Sequence, residues 1–149
     1  MSEHKAIVEW NRGTEPFSYE TYNRDHVVMF EGGVRMPASA APAYRGNPGH
    51  VDPESALVAA LSSCHMLTFL AIAAKKQFVV DSYRDQDVGF LEKNAQGKLA
   101  VTRVILRPKV TFGGATSPTP EQIAGLHERA HAECFIANSV TTTVTVEAG

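Results

Sequence analysis

The segment HERAHAEC, residues 127–134, carries side chains that suit two kinds of chemistry. Its first five residues fit H-E-x-x-H, in which two histidines one helical turn apart bind zinc and the glutamate acts as a base. Its last residue, Cys134, is one of two cysteines in the chain. The segment therefore fits either a metallohydrolase or a thiol enzyme.

A catalytic zinc needs a third protein ligand, and the sequence offers few. After His131 the chain provides only acidic residues and Cys134, and no further helix is predicted to present them. The five-residue pattern also arises by chance in helices rich in Glu and His. We therefore expect His127 and His131 to face solvent on an ordinary helix, and we predict no metal and no cofactor.

The cysteines have two interpretations. A single buried cysteine is most often a small apolar core residue, which applies to Cys64 and Cys134 alike. The alternative is a peroxide-reactive pair, because a thiolate that attacks an O–O bond becomes a sulfenic acid that a second cysteine resolves. Such a thiolate needs a cation, and Arg24 or Arg45 qualifies unless it is merely solvated. Glu54 can hold a guanidinium in a bidentate pair.

A long helix is predicted over residues 52–76 and would position both Glu54 and Cys64. Asp52 suits its N-cap, Pro53 its first position and two lysines its C-terminal end. Almost every residue between these signals is small or apolar, which predicts a central helix buried on all sides. At the α-helical rise it is about 36 Å long.

Strands are predicted on both sides of this helix. Residues 4–10 and 26–30 are apolar and β-branched and predict a hairpin or meander, whereas residues 31–53 predict strand edges and a long ordered loop. Residues 78–93 and 98–114 predict two long strands joined in a hairpin at the turn sequence NAQG.

A second helix, capped by Thr119 with Pro120 in its first turn, carries Cys134 at its end. Residues 141–147 predict a last strand. The order β, long helix, β-hairpin, helix, β indicates an α+β fold in a single domain over residues 1–149. A chain of this length buries its own core without disulfides or metals.

Composition argues against several partner classes. The chain has 14 Lys and Arg and 16 Asp and Glu, mixed along its length, which disfavours nucleic acid and anionic membranes as partners. No uninterrupted run of about 18 apolar residues occurs, and the start MSEHKAIVEW lacks the features of a signal peptide. We therefore expect a cytoplasmic protein whose cysteines form no structural disulfide.

Two motifs resemble the OsmC/Ohr family, the osmotically induced and organic hydroperoxide resistance proteins. DPESALVAALSSCHMLTFLA, with Cys64, resembles the family's central-helix motif, and HAECFIANSV, with Cys134, resembles its second-cysteine motif. Their separation and the element order match over almost the whole chain. Asp52 in place of asparagine, His65 after the first cysteine and Phe135 in place of proline after the second indicate a separate branch.

The resemblance implies an OsmC-like fold with antiparallel sheets around a long buried central helix, an intertwined homodimer, and a thiol-dependent peroxidase for organic hydroperoxides. By position, Cys64 is similar to the peroxidatic cysteine and Cys134 to the resolving cysteine, with an external dithiol as reductant. Glu54 is similar to the glutamate that anchors the catalytic arginine. Arg24 and Arg45 fit the two spacings of that arginine, and we favour Arg24 slightly. The alternative is a non-catalytic small-molecule-binding or stress-response protein on the same fold.

Helix geometry adds an expectation about the dimer. Glu54 and Cys64 are ten residues apart, which is about 15 Å along a helix and about 80° around it, so one arginine does not easily bridge them. We therefore predict that the central helices of two subunits pack antiparallel, with Glu54 of one beside Cys64 of the other. Met66, Phe69 and Phe135 would shape an apolar pocket for the peroxide tail, unless they belong to the structural core, which is the commoner place for such side chains.

Overall fold

The computed structural model describes residues 1–148, which form eight strands and two α-helices. The chain divides into two compact units, one formed by residues 1–56 and the other by the residues from Leu57 onward. Each unit is described by itself below. The expectation of a single domain stays a prediction.

The N-terminal unit contains a three-stranded antiparallel sheet. Its strands, in spatial order, are β1 (Ala6–Glu9), β2 (His26–Phe30) and β3 (Arg35–Ala38). The predicted N-terminal meander is confirmed, and the segment expected to hold strand edges and a loop supplies β3. A short 3₁₀ turn at Pro42–Tyr44 follows, and Arg45 then adopts a left-handed backbone conformation with φ of 64°.

Helix α1 covers Pro53–Lys75, within one residue of the predicted limits at each end. The Asp52 carboxylate accepts hydrogen bonds from the side chain and backbone of Ser55, which lowers the pKa of Asp52 and caps the helix. The Ala56 N–H donates to the Asp52 carbonyl at 3.0 Å. Past the C-terminus, Gln77 has a φ of 64°, a left-handed conformation that ends the helix.

One side of α1 is buried and another is exposed. The buried residues are Leu61, His65, Phe69, Ile72 and Ala73. Small or apolar residues recur every four positions on the exposed side, at Ser55, Ala59, Ser63, Leu67 and Ala71. The helix is long and apolar enough to cross a membrane, yet its buried side packs into cores of the C-terminal unit, as in a soluble protein. Within one chain α1 is therefore not buried on all sides, and its complete burial stays a prediction for an assembly.

The two long strands predicted after α1 each divide in two, so that prediction was wrong. The resulting strands are β4 (Val79–Asp85), β5 (Val88–Lys93), β6 (Leu99–Leu106) and β7 (Pro108–Gly113). β4 pairs with β7, whereas β5 pairs with β6 through the predicted turn at residues 94–97. At the break, the Arg107 N–H donates to the carboxylates of Asp85 at 2.6 Å and Asp87 at 3.4 Å. Side-chain acceptors replace a strand neighbour there, which lets the chain change sheets.

The last strand, β8 (Thr143–Val146), lies within the predicted range and pairs parallel with β6. The sheet β5-β6-β8 is therefore mixed, whereas the other two sheets formed by residues 1–148 are antiparallel. The expectation of purely antiparallel sheets was wrong for this sheet. The connection from β6 to β8 includes a helix, and helical connections are the usual way to join parallel strands.

That connecting helix is α2, Pro120–Glu133. Its predicted cap is confirmed: the Gln122 N–H donates to Thr119 Oγ1 at 3.1 Å, and the Thr119 N–H donates to Gln122 Oε1 at 2.9 Å. α2 packs against α1 in a core formed by Phe69, Ile72, Ala73, Leu126 and Ala130. A second core combines Leu61, Val104 and Leu106 with partly buried neighbours that include Ile136.

Candidate functional site

Packing between α1 and the α2 region brings the two cysteines together. Both lie between the two cores, because Cys64 follows Leu61 and precedes Phe69, while Cys134 follows Ala130. Cys134 ends α2 as its C-cap, and its side chain is 1% exposed, whereas Cys64 is half-buried. The cysteine side chains are in hydrogen-bonding contact, and both are free thiols. This arrangement suits a reaction that joins the two sulfur atoms.

The surroundings separate the two thiols by acidity. Burial raises the pKa of Cys64, but hydrogen bonds from the Ile136 backbone, the Cys134 side chain and the Phe135 backbone outweigh it, so the pKa is lowered. Burial raises the pKa of Cys134, and the neighbouring Cys64 adds to the rise despite the hydrogen bond from the Ala137 backbone. That Ala137 N–H lies 3.4 Å from Cys134 Sγ. Cys64 is therefore the better thiolate, which is the nucleophilic form, and Cys134 keeps its proton.

Glu54 and the two candidate arginines belong to the N-terminal unit, which does not join them in a salt bridge within the described chain. Glu54 Oε2 is buried and has no hydrogen-bond partner. The Arg24 guanidinium donates to the carbonyls of Tyr22 at 2.5 Å and Tyr19 at 2.6 Å, and it lies 3.5 Å above the Tyr22 ring. Arg45 lies 5.6 Å from the Tyr19 ring. The predicted ion pair stays a prediction.

The N-terminal unit also contains a cavity of about 400 Å³ that includes Arg24 in its lining. An aromatic cluster forms part of its wall: the Trp10 and Phe17 rings are 6.0 Å apart, and the Phe17 and Tyr22 rings are 5.4 Å apart. Part of this wall comes from the stretch between the strands predicted at residues 4–10 and 26–30, which is largely polar in sequence. The closely spaced aromatic residues were the signal that it folds back on itself.

The expectation that His127 faces solvent was wrong, whereas His131 is exposed. His127 is 4% exposed and its Nδ1 lies 3.0 Å from Nε2 of His65, which is 1% exposed. The His127 ring also stacks on Phe69 at 4.4 Å between centroids. The hydrogen bond between the two rings compensates for burial of their polar atoms, which lets His127 occupy the packed side of α2.

Burial keeps both histidines neutral. It lowers the pKa of His65 to about 4, with a further contribution from His127, and it lowers the pKa of His127 as well. Within residues 1–148, no hydrogen-bond partner faces His65 Nδ1 or His127 Nε2, the outer nitrogens of the pair. Over residues 1–148, no group of three or more His, Cys, Asp or Glu side chains is arranged to hold a metal ion. His127, the first residue of the H-E-x-x-H pattern, instead packs against His65 and Phe69 of α1.

An acidic pair that was not predicted, Asp85 and Asp87, lies beside the turn of α1 that carries Cys64. The Ser62 hydroxyl donates to Asp85 Oδ2 at 2.8 Å. Burial, together with Asp85, raises the pKa of Asp87 to about 6. Burial also raises the pKa of Tyr83, whose hydroxyl has no hydrogen-bond partner in the described part of the chain. Of the two interpretations of Phe69, the structural core is confirmed and the substrate pocket was wrong, because its side chain is fully buried in the core.

Comparison with known proteins agrees with the two-cysteine resemblance. Residues 46–149 match the family model for OsmC-like protein. An OsmC-like protein of unknown function from Vibrio cholerae is 51% identical over 100% of both chains, with a TM-score of 0.97. No curated protein sequence matches the chain significantly.

Two more distant structures carry functional names. An organic hydroperoxide resistance protein from Legionella pneumophila is 15% identical over 99% of this chain and 97% of its own, with a TM-score of 0.70. OhrB of Bacillus subtilis, another organic hydroperoxide resistance protein, is 16% identical over 99% and 98%, with a TM-score of 0.71. At this identity the likeness shows a shared fold. The family match and the Vibrio cholerae relative identify the chain as a member of the OsmC-like family.

Proposed function

We propose that this protein is a thiol-dependent peroxidase that reduces organic hydroperoxides, with Cys64 as the peroxidatic and Cys134 as the resolving cysteine. The observation that carries the proposal is the contact between two free thiols whose pKa values are shifted in opposite directions. The names of the Legionella pneumophila and Bacillus subtilis proteins support the choice of organic hydroperoxides as substrates.

The reaction proceeds in two stages. The Cys64 thiolate attacks one peroxide oxygen, the O–O bond breaks, and the product is an alcohol and a Cys64 sulfenic acid. Cys134 then attacks the Cys64 sulfur, water leaves, and an intramolecular disulfide forms. An external dithiol restores both thiols by disulfide exchange. Hydrogen bonds from the Phe135 and Ile136 backbones stabilise the starting thiolate.

Glu54 and an arginine complete the proposed site. Among residues 1–148, the buried Glu54 Oε2 has no hydrogen-bond partner. Because an unpaired buried carboxylate is costly, this supports a cation beside Glu54 in the assembled protein. Arg24 remains slightly favoured, although two carbonyls already occupy its guanidinium, and Arg45 is the alternative. The exposed apolar side of α1 supports the intertwined homodimer, in which Glu54 of one subunit lies near Cys64 of the other.

Peroxide consumption tests the proposal. Purified protein is mixed with cumene hydroperoxide and a dithiol, and wild type is compared with Cys64→Ser and Cys134→Ser. We expect turnover by wild type, none by Cys64→Ser, and oxidation of Cys64 without the intramolecular disulfide in Cys134→Ser. Equal consumption by wild type and Cys64→Ser would contradict a peroxidatic role for Cys64.

A non-catalytic binding protein is the second candidate, and the cavity of about 400 Å³ in the N-terminal unit favours it. Its aromatic wall suits an apolar ligand. Thiol titration after peroxide treatment separates the two functions. A binding protein keeps both thiols reduced, whereas a peroxidase loses two thiols and forms one disulfide.

A further inference from the structure

We propose that Cys134 also acts as the general acid of the first stage, giving its thiol proton to the alkoxide that leaves when Cys64 attacks the peroxide. This inference rests on the proposed peroxidase function and adds a role to the resolving cysteine. The proton transfer leaves Cys134 as a thiolate, which is the form that attacks the Cys64 sulfenic acid. One proton movement therefore completes the first stage and prepares the second.

The position of Cys134 suits this transfer. The leaving oxygen is bonded to the oxygen that Cys64 attacks, so it is released close to the Cys64 sulfur. The Cys134 side chain is in contact with Cys64 and is 1% exposed, so bulk water has little access to it. The Ala137 N–H that donates to Cys134 Sγ at 3.4 Å holds the sulfur in place and leaves its own proton free to point elsewhere.

Other groups around Cys64 are poorer proton sources. The Thr68 hydroxyl donates to the Cys64 carbonyl at 2.8 Å and also lies beside the Cys64 sulfur, but an aliphatic hydroxyl is a much weaker acid than a thiol. The backbone amides of Phe135 and Ile136 stabilise negative charge but do not give up their protons. His65, next along α1, is neutral and hydrogen-bonded to His127 across the helix interface. Cys134 is thus the ionisable hydrogen-bond partner of Cys64 within the described chain.

Relative acidities favour the direction of transfer. An alkoxide has a basicity near that of hydroxide, the conjugate base of water, so it takes a proton readily from a thiol. Burial and Cys64 raise the pKa of Cys134, which keeps the proton on Cys134 until the alkoxide appears. Of the two thiols, Cys64 therefore loses its proton first while Cys134 keeps its own, as the first stage requires.

The atoms and electrons balance over both stages. First, an S–O bond forms on Cys64, the O–O bond breaks, and the proton moves from Cys134 sulfur to the leaving oxygen, which gives the alcohol. Cys64 is oxidised by two electrons and the peroxide is reduced by two. Second, the Cys134 thiolate forms the S–S bond, the S–O bond breaks, and the departing hydroxide takes a proton from solvent to become water.

Substrates with different leaving groups test the inference in single-turnover experiments. Cumene hydroperoxide releases an alkoxide that needs a proton, whereas 3-chloroperoxybenzoic acid releases a carboxylate that does not. The rate of Cys64 oxidation is measured with both for wild type, Cys134→Ala and Cys134→Ser. We expect Cys134→Ala to lose ~10²-fold more with cumene hydroperoxide than with the peracid, within the range for general acids, because loss of its hydrogen bond to Cys64 slows both reactions alike. Cys134→Ser, which keeps a hydroxyl donor, is expected to lose less.

The peracid rate also shows that each variant is folded. Equal losses with both peroxides, or no loss with cumene hydroperoxide in Cys134→Ala, would overturn the role of Cys134 as an acid while leaving the peroxidase function intact. A wild-type protein that oxidises Cys64 with neither peroxide would instead overturn the proposed function itself.

Discussion

Removing one member of the buried pair His65–His127 is expected to cost more than removing both. His65→Leu leaves His127 Nδ1 buried without its partner 3.0 Å away, and His127→Leu does the same to His65 Nε2. An orphaned buried polar atom costs about 1–3 kcal/mol, so each single substitution is expected to lower the free energy of unfolding by about 2 kcal/mol. The double substitution removes both polar groups together, including the outer nitrogens that already have no partner.

For the double variant, replacement of both partners by apolar groups of similar size is nearly neutral. We therefore expect the double variant to lose less than either single variant, about 1 kcal/mol or below, which corresponds to a coupling energy of about 3 kcal/mol. Urea unfolding at pH 7.5 of wild type, both singles and the double gives this value. His131→Leu, at an exposed position on the same helix, serves as control and is expected to change stability by less than about 0.5 kcal/mol.

The pair also predicts a pH dependence. The pKa of His65 falls from 6.5 to about 4 on folding, so between these values the unfolded chain binds more protons than the folded one. Stability from this group is complete above pH 6.5 and is lost as the pH falls toward 4, by up to about 3 kcal/mol. The difference between wild type and the double variant across this window isolates the effect. Additive single losses, or a difference that does not change with pH, would refute the coupling argument.

Three further predictions concern other parts of the fold, each measured by chemical denaturation. Gly89→Ala is expected to destabilise the fold by about 1–3 kcal/mol, because the added Cβ would lie 2.5 Å from Val58 Cγ2. Gly125→Ala lies in open space within α2 and is expected to stabilise the fold by about 0.5–1 kcal/mol. A loss of stability at both positions would contradict this. Thr119→Ala removes the Oγ1 acceptor of the Gln122 N–H and keeps the backbone N–H that donates to Gln122, and it is expected to cost about 1 kcal/mol; an unchanged stability would contradict this. On folding, the pKa of Asp87 rises from 3.8 to about 6, so its ionisation lowers the stability of the fold as the pH rises through this range. Asp87→Asn is therefore expected to raise the free energy of unfolding by about 1 kcal/mol above pH 6, after allowance for solvent screening. A gain in stability seen only at low pH would contradict this prediction.

Features set by neighbouring residues were predictable from the sequence. The limits of α1 follow from Asp52 as cap, and the start of α2 follows from Thr119 and its capping box, because these signals act over three or four residues. The turn at residues 94–97 is local in the same way. Their confirmation therefore needed no knowledge of the tertiary fold.

Features set by distant residues were not predictable from local patterns. The predicted long strands divide because Asp85 and Asp87 accept the Arg107 N–H, an interaction across about twenty residues that no strand pattern encodes. His127 was assigned to the correct helix but to the wrong side, because its partner His65 is 62 residues away. The meeting of the two cysteines was suggested by family resemblance and depends on the packing of α1 with α2.

The end of α2 determines which of the two cysteines is the more acidic. The helix stops at Glu133, so the backbone amides that follow Cys134 have no place in its hydrogen-bond ladder and are available to sulfur. Two of them, from Phe135 and Ile136, lower the pKa of Cys64. Proline, which has no N–H, would remove one of these two donors if it stood in place of Phe135. Phe135 therefore gives this chain a main-chain donor beside the Cys64 sulfur that a proline could not supply, and in the proposed peroxidase this donor would add to the activation of Cys64 by an arginine.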